Sequence, residues 1–364
     1  MKNIVISGYY GSKNAGDEAM LAAMIEVLSD LDPKLHIKVI SANPVDTKRR
    51  HGVESIPWLS LLRIWKALGE ADLLLSGGGS LLQNVTSKRS LYYYLSIIFM
   101  AQLRSVPVML YAQGIGPILG FAARKIMQKL CNRSALITVR DQGSLSELLE
   151  LGIDKPPIEA TADPVLAIHP VTKDIGHEIL KWNNADGIRP VIGISVREWK
   201  GWKHYKEMLA KAADQMVHEL GARVVFLPMQ YPEDVKVAQL IHDMMQEDSI
   251  VLDAEYTTSE LLSIVGNMDL LVSIRLHALI FAGVMGVPMV GLSYDPKIDR
   301  FLSSVGEHAV GDLQATTVDA LMKEVRIKWG CREECREKNR ALLAPLRHLA
   351  AKNAELALGI LRKH

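Results

Sequence analysis

Ten short apolar runs rich in β-branched residues recur along the chain, and most are followed by a longer segment with helical periodicity. Short apolar strands that alternate with helices are typical of βαβ units around a parallel sheet. Five runs lie in each half of the sequence, so the pattern predicts an α/β protein with two Rossmann-like, doubly wound domains. The ten runs span residues 3–7, 37–41, 72–76, 106–112, 136–139, 191–196, 223–227, 250–252, 269–274 and 289–292.

The length of 364 residues also favours two domains. Residues 173–189 lose the apolar rhythm and contain Gly176 and Asn183, so we place a linker near 171–188. We therefore expect an N-terminal domain over 1–172, a second domain over 173–345 and a C-terminal helix over 346–364 that packs back on the first. Residues 323–364 hold 11 Lys or Arg against 5 Glu, which predicts a solvated helix pair.

The 42 basic and 41 acidic side chains nearly cancel, which argues against nonspecific nucleic-acid binding. Three cysteines are too few for a disulfide scaffold and indicate a reducing compartment. Cys331 and Cys335 do not complete a zinc site, so we expect neither a metal nor a cofactor. No secretory h-region follows the first residues, and the longest uncharged apolar stretch, 90–103, is too short to span a bilayer. We expect a cytoplasmic protein.

Glycine-rich segments follow three of the predicted strands, and the carboxyl ends of such strands are where doubly wound domains bind ligands. Backbone NH groups and small residues at these turns favour a cleft lined by main chain. Asp17 is a candidate ligand for a sugar hydroxyl, whereas Glu18 has an equal claim to a helix-dipole role. The sequence contains no Gly-x-Gly-x-x-Gly, P-loop or nucleophile-elbow motif. The candidate binding residues in this half are Asn14, Asp17, Gly78, Gly79, Gln113 and Gly114.

Four cationic side chains and one histidine stand at the ends of other predicted strands. Arg275 and His277 are two residues apart, so in extended backbone they would share a face. Several fixed cations without a set of metal ligands indicate a site for a small polyanion, which we place in a cleft between the domains. The alternatives are that Arg140 pairs with Asp141, that His277 is structural and that Lys297 is a surface charge. The candidates in this set are Arg140, Arg197, Gln230, Arg275, Leu276, His277, Tyr294 and Lys297.

The combination of Gly8-Tyr9-Tyr10-Gly11, Gly16-Asp17-Glu18-Ala19, Gln113-Gly114-Ile115-Gly116-Pro117 and Arg275-Leu276-His277 resembles the polysaccharide pyruvyl transferase family. The likeness spans nearly the whole chain in the right order and is strongest to the bacterial cell-surface-anchoring pyruvyl transferases. It implies two domains that face each other across a cleft, the glycosyltransferase-B type of fold. Ala112 stands before Gln113 where the family pattern suggests glycine.

The resemblance implies transfer of the enolpyruvyl unit of phosphoenolpyruvate to a β-N-acetylmannosamine residue, with a 4,6-pyruvate ketal and phosphate as products. The acceptor would be a polyprenyl-diphosphate-linked amino-sugar disaccharide, a precursor of a secondary cell-wall polymer that retains surface-layer proteins. In this scheme His277 is the general acid/base, and Arg275 and Lys297 hold the phosphate. Arg197 or Arg140 pairs with the carboxylate, and the N-terminal glycine loops face the acceptor.

Two other functions stay open at this point. A glycosyltransferase of the same fold would use a nucleotide sugar and could grip its ribose with Glu255 or Glu260. A non-catalytic sugar-phosphate sensor would bind without turnover. The sequence also leaves the oligomeric state open.

A lipid-linked acceptor would bring the enzyme to the inner face of the membrane as a peripheral protein. Trp58, Leu59, Leu62, Trp65 and Lys66, with the stretch 92–100, are candidates for such docking, although core packing is the interpretation we favour for them.

Overall fold

The computed structural model describes residues 2–85, 87–185 and 189–363. It divides into two compact units, which we call unit 1 and unit 2. Unit 1 consists of Met1–Ile168 and Leu346–His364, and unit 2 is His169–Pro345.

Unit 1 is built on seven parallel strands in the order β3-β2-β1-β4-β5-β6-β7. The strands are β1 Asn3–Ser7, β2 His36–Ser41, β3 Glu54–Pro57, β4 Leu73–Ser76, β5 Val108–Gln113, β6 Leu136–Val139 and β7 Ile158–Ala160. The helices between them are α1 Ala15–Leu31, α2 Pro44–His51, α3 Leu61–Gly69, α4 Lys88–Leu103, α5 Phe121–Cys131 and α6 Gln142–Glu150, and a short 3-10 helix, Pro164–Ala167, follows β7.

Side chains that alternate along the strands fill two cores, one on each face of this sheet. Val5 and Leu74 face a core that helices α3 to α6 cover. Ile4 and Leu73 face the opposite core, which α1 covers together with the end of the chain. Burial of strands on both faces explains why the sequence runs are apolar throughout rather than alternating.

Unit 2 has six parallel strands in the order β10-β9-β8-β11-β12-β13. The strands are β8 Val191–Ser195, β9 Arg223–Phe226, β10 Ser249–Val251, β11 Leu270–Ser273, β12 Met289–Ser293 and β13 Ala309–Asp312. The helices are α7 Asp174–Trp182, α8 His204–Leu220, α9 Glu233–His242, α10 Thr258–Gly266, α11 Leu276–Met285, α12 Pro296–Ser304 and α13 Val318–Gly330. The last helix, α14 Arg332–Lys363, begins in unit 2 and ends in unit 1. The prediction of two doubly wound α/β domains is confirmed.

The segment expected to be a linker is folded over most of its described length. Residues 174–182 form α7, which belongs to unit 2 and lies against α10. A Cβ on Gly176 would lie 2.3 Å from the backbone of Ser263, so this glycine permits close helix contact rather than marking a hinge. Residues 186–188 of the expected linker lie outside the described residues.

The expectation of a solvated C-terminal helix pair is wrong for the end of α14. Its residues up to Pro345 belong to unit 2 and those from Leu346 belong to unit 1. Ala354, Ala357 and Leu361 are buried in the unit 1 core against the sheet face that carries Ile4. The charged residues of this helix therefore occupy only its outer side.

None of the helices in the described ranges is long and apolar enough to cross a membrane.

Candidate functional site

The strand order of unit 1 reverses between β1 and β4, because β1 continues to β2 on one side while β4 continues to β5 on the other. The loops that leave these two strands start at the same edge, and the Gly77 N–H donates to the Ser7 carbonyl at 2.7 Å. This is the switch point at which doubly wound sheets bind ligands. The first two glycine-rich segments predicted from the sequence lie here.

Tyr10 is buried beneath these loops and explains two of their glycines. A Cβ on Gly8 would lie 2.4 Å from the Tyr10 ring, and one on Gly77 would lie 2.0 Å from its hydroxyl. The Tyr10 phenol fills the space that a side chain at position 8 or 77 would need. The glycines therefore serve loop packing as well as backbone access.

Asp17 lies between the β1 and β4 loops. Its Oδ1 is 3.3 Å from the point where Gly79 would carry a Cβ. Burial, and then the nearby Asp17 carboxylate, raise the pKa values of Tyr10 and Tyr94 above the ordinary range for tyrosine. Both phenols thus stay protonated, and the carboxylate of Asp17 lies beside the glycine loop that follows β4.

Asn14 and Glu18 hold the loop in place. Asn14 is the N-cap of α1, and its Oδ1 accepts the N–H groups of Gly16 at 3.0 Å and Asp17 at 3.4 Å. Glu18 is buried, accepts the Gly11 N–H at 2.7 Å and lies 3.1 Å from Nε2 of His51. These contacts tie both side chains to the fold, and they give Glu18 more than the helix-dipole role.

The end of β5 is fastened to the β4 loop. The buried Gln113 side chain donates from Nε2 to the carbonyls of Ser76, at 3.0 Å, and of Gly77. The Gly114 N–H donates to the Gly79 carbonyl at 2.8 Å. Gly78 is buried against α1. A Cβ on this glycine would lie 3.0 Å from Sδ of Met20 in that helix. In this structure Gln113 and Gly78 shape the loops from within.

Arg140 follows β6, and its guanidinium bonds with Asp163 and Ser80. Its Nη1 donates to Asp163 at 2.8 Å, its Nη2 donates to Ser80 at 3.2 Å, and both members of the ion pair are buried. A Cβ on Gly114 would lie 2.7 Å from Nη2 of Arg140, so the glycine makes room for the guanidinium. Asp141 instead caps α6 by accepting the N–H of Ser144.

Unit 2 has its switch point between β8 and β11, and the Ile274 N–H donates to the Ser195 carbonyl at 3.1 Å. Arg197 follows β8, and Arg275 is the N-cap residue of α11. His277 is in the first turn of that helix, and Leu276 before it is buried. Arg275 keeps the expected extended backbone, but His277 is helical, so the shared strand face expected for the two side chains does not form, although both stay at the same strand end.

Asp234 anchors Arg275 and was not identified from the sequence. Its Oδ1 accepts a hydrogen bond from Nη2 of Arg275, and its Oδ2 accepts the N–H groups of Met229 at 3.1 Å and Gln230 at 2.9 Å. Asp234 is 1% exposed. The sequence feature that could have identified Asp234 is its place as an acidic residue in the first turn of α9, four residues after Gln230.

The guanidinium of Arg275 donates to Asp234 through Nη2, but its Nε has no hydrogen-bond partner in the ranges that the structure describes. The hydroxyl of Ser273 accepts the Arg275 N–H at 2.8 Å and donates to its carbonyl at 3.0 Å, which fixes the backbone. The Nε atom of Arg275 is buried and has no acceptor among the described residues. Buried donors without acceptors are rare in proteins, so this one is suited to an anionic ligand.

Arg197 shows the same arrangement. Its Nη1 donates to the hydroxyl of Tyr294 at 2.7 Å, and its guanidinium lies 5.3 Å and 5.1 Å from the ring centroids of Trp199 and Tyr294. Its Nε is likewise buried without an acceptor in the described part of the chain. Lys297 is the third cationic candidate of unit 2. Its Nζ lies 3.3 Å from Asp295 and 5.8 Å from the Tyr294 ring centroid.

Unit 1 has Asp17 beside its switch point, and unit 2 has Arg197, Arg275 and His277 at its own. Lys297 follows β12, the strand next to β11. Convergence of Arg140 with the cations of unit 2 stays a prediction.

Solved structures with a similar fold include two UDP-GlcNAc 2-epimerases and one glycosyltransferase. UDP-GlcNAc 2-epimerase from Methanocaldococcus jannaschii has a TM-score of 0.68 at 14% identity, with 100% of both chains covered. The enzyme of the same name from Neisseria meningitidis has a TM-score of 0.64 at 13% identity, with 100% of both chains covered. A glycosyltransferase from Rickettsia africae has a TM-score of 0.68 at 12% identity, covering 100% of this chain and 99% of that one. Identities this low show the fold alone.

A search of curated proteins finds no match to this sequence. The family model for polysaccharide pyruvyl transferase matches residues 14–296, a range that contains every candidate described above except Lys297, which follows it directly. Because that match covers well over half of the 364 residues, the chain belongs to the polysaccharide pyruvyl transferase family.

Proposed function

We propose that this enzyme transfers the enolpyruvyl unit of phosphoenolpyruvate to O4 and O6 of a β-N-acetylmannosamine residue and releases phosphate. The acceptor is the polyprenyl-diphosphate-linked precursor of a secondary cell-wall polymer, whose pyruvate ketal would serve to anchor surface-layer proteins. Family membership supports pyruvyl transfer as the reaction class. The observation that carries the donor assignment is the pair of buried Nε donors on Arg197 and Arg275.

Phosphoenolpyruvate has two anionic groups, and unit 2 offers two arginine subsites at one strand edge. Arginine suits both groups because its donors match the oxygens of phosphate and carboxylate. In our assignment Arg275 and Lys297 hold the phosphate and Arg197 holds the carboxylate. Asp234 keeps the Arg275 guanidinium in place through Nη2, so that Nε is left for the ligand.

His277 supplies the proton chemistry in this proposal. It protonates the methylene carbon of phosphoenolpyruvate, which becomes a methyl group and leaves oxocarbenium character on C2. One sugar hydroxyl attacks that carbon and loses its proton, which restores the histidine. The second hydroxyl then displaces phosphate, which carries away the other proton. Protons and phosphate balance without a redox cofactor.

Unit 1 is assigned to the acceptor. Asp17 is positioned to accept a hydrogen bond from a sugar hydroxyl, and the glycine loops beside it expose backbone to a ligand. This assignment rests on the chemistry of the two switch points, because one gathers cations and the other presents a carboxylate.

The test measures phosphate release from phosphoenolpyruvate with a water-soluble β-N-acetylmannosaminyl disaccharide diphosphate. We expect release that depends on the acceptor, and a KM for phosphoenolpyruvate that rises in Arg275→Ala and Arg197→Ala. Arg326→Ala is the matched control, because Arg326 donates to Glu219 at 2.9 Å on the surface of α13. No acceptor-dependent release, or equal KM values in all three variants, would contradict the proposal.

A nucleotide-sugar glycosyltransferase is the second candidate, since similar folds are found in proteins described as bound to UDP or to UDP-GlcNAc. Of the two ribose candidates, Glu260 is committed to a capping box, where its Oε2 accepts the N–H of Thr257 at 2.7 Å. In this candidate function Glu255 would hold the ribose. Glycosyl transfer from a UDP-sugar with no phosphate release from phosphoenolpyruvate would favour this candidate.

A further inference from the structure

Helices α3 and α4 of unit 1 carry an exposed apolar face that the core does not use. Leu62 is 85% exposed, Leu59 71%, Trp58 42% and Trp65 37%, which is the opposite of the core packing favoured from the sequence. Four large apolar side chains at this exposure within one short segment are unusual for a soluble surface and mark an interaction site.

Helix α4 extends the same face. Its exposed positions Tyr92, Ser96, Phe99 and Leu103 follow a helical repeat and form one stripe, whereas Leu95 and its neighbours on the other side are buried. The core packing favoured for the stretch 92–100 therefore holds for its buried side, and only this stripe is exposed for docking.

The segment 58–69, which contains α3, contacts the segment of α4 and Arg104 at both ends of the face. At one end the Tyr93 hydroxyl donates to the Trp58 carbonyl at 2.9 Å, and the two rings meet edge to face at 5.5 Å. At the other end the Arg104 guanidinium lies 5.0 Å from the Trp65 ring centroid. The exposed side chains of both helices therefore belong to one continuous surface, which we call the α3–α4 face.

Every charged residue in the two segments of this face is basic. Residues 58–69 and 87–104 contain Arg63, Lys66, Lys88, Arg89 and Arg104 and no Asp or Glu. A second copy of the chain seated on this face by a two-fold axis would bring like charges together, which disfavours self-association. Leucine and tryptophan surrounded by lysine and arginine instead suit the interface of an anionic bilayer.

We propose that the α3–α4 face docks unit 1 on an anionic membrane surface, with Leu62 and Trp65 entering the interfacial layer and the basic residues facing lipid phosphates. The inference stands apart from the proposed reaction, since it concerns where the enzyme is held and not what it transfers.

The test is co-sedimentation of the full chain with vesicles of equal phosphatidylglycerol and phosphatidylcholine, against vesicles of phosphatidylcholine alone. We expect binding to the anionic vesicles that weakens as salt is raised. Arg63→Gln/Lys66→Gln should lower the partition coefficient by about tenfold or more, since each basic residue near an anionic surface favours binding. Leu62→Ser/Trp65→Ser should lower it by a similar factor while leaving the salt dependence in place.

Trp182→Ser is the matched control, because Trp182 is an exposed tryptophan on α7 of unit 2. It should bind vesicles as the unchanged protein does. All variants replace exposed side chains, so their melting curves should match that of the unchanged protein. Equal sedimentation with both kinds of vesicle, or normal binding by both double variants, would overturn the proposal.

Two further readouts separate the remaining outcomes. A native mass that falls from dimer to monomer in Leu62→Ser/Trp65→Ser would assign the face to a second copy and overturn membrane docking. Turnover of the water-soluble acceptor should be unchanged in both double variants. Loss of vesicle binding therefore reports on the docking proposal alone, while absence of turnover in every protein reports on the proposed function alone.

Discussion

Asp234 accepts a hydrogen bond from Arg275, which lies 41 residues further along the chain, and the same carboxylate binds two backbone N–H groups of the β9 loop. The carboxylate thus sets the position of the guanidinium relative to the end of β11. Because the pair is buried, neither charge is screened by water.

Replacement of this anchor should weaken donor binding more than it slows chemistry. In Asp234→Asn we expect the KM for phosphoenolpyruvate to rise roughly 10-fold to 100-fold, the equivalent of one hydrogen bond to a charged group. In Asp234→Ala the arginine is left unpaired, and we expect about 3–5 kcal/mol less stability. Steady-state kinetics and thermal unfolding measure the two effects. An unchanged KM for phosphoenolpyruvate in Asp234→Asn would show that Arg275 does not bind this substrate.

His277 should control turnover rather than binding. We expect His277→Gln to lower kcat by about 10²–10⁴-fold with little change in the KM for phosphoenolpyruvate, because general acid/base catalysis acts in the transition state. His242→Gln is the matched control, since His242 contacts the hydroxyl of Ser249 at 2.7 Å, away from the switch point. Near-normal kcat in His277→Gln would remove histidine from the mechanism.

Asp17 offers a test that separates the two substrates. Asp17→Asn should raise the KM for the sugar acceptor and leave the KM for phosphoenolpyruvate unchanged, because the carboxylate is a stronger acceptor of sugar hydroxyls than an amide. Asp30→Asn, an exposed change on the same helix α1, should affect neither constant. A selective rise in the KM for phosphoenolpyruvate would reverse the assignment of substrates to units.

The contact between Gly114 and Arg140 predicts a structural effect. An alanine at 114 would place its Cβ within 3.0 Å of three guanidinium atoms and push Arg140 away from Asp163. We expect Gly114→Ala to lower stability by about 1–3 kcal/mol, as overpacking does. Gly359→Ala in helix α14 has open space around it and should be neutral or stabilising. Equal melting temperatures for the two variants would contradict this view of the β5 loop.

The sequence pattern predicted every central strand of both sheets but missed three of the edge strands. The strands it missed, β3, β7 and β13, lie at the margins of their sheets and are only partly buried. Their sequences are short and include polar residues such as Glu54 and Glu159, so the apolar signal is weak there. Central strands are covered on both faces and must be apolar throughout, so they are easy to recognise. The edge strand β10 was recognised from Ile250 and Val251.

Candidate residues were found in the sequence by their place at strand ends, and their partners were not. Arg140 and Arg275 were visible, but Asp163 and Asp234 join them only through tertiary contacts that no local pattern encodes. The same reason explains Gln113: its place at a strand end could be predicted from the sequence, and its contact with the Ser76 carbonyl could not.

The most direct test of the account follows a label from donor to acceptor. The enzyme is incubated with phosphoenolpyruvate labelled with ¹³C at its three carbons and with the soluble disaccharide diphosphate, and the sugar product is analysed by mass spectrometry beside a phosphate assay. We predict one labelled three-carbon unit on each modified acceptor, in equal amount to the phosphate released. An unlabelled acceptor, or phosphate release without transfer of the label, would contradict pyruvyl transfer by this enzyme.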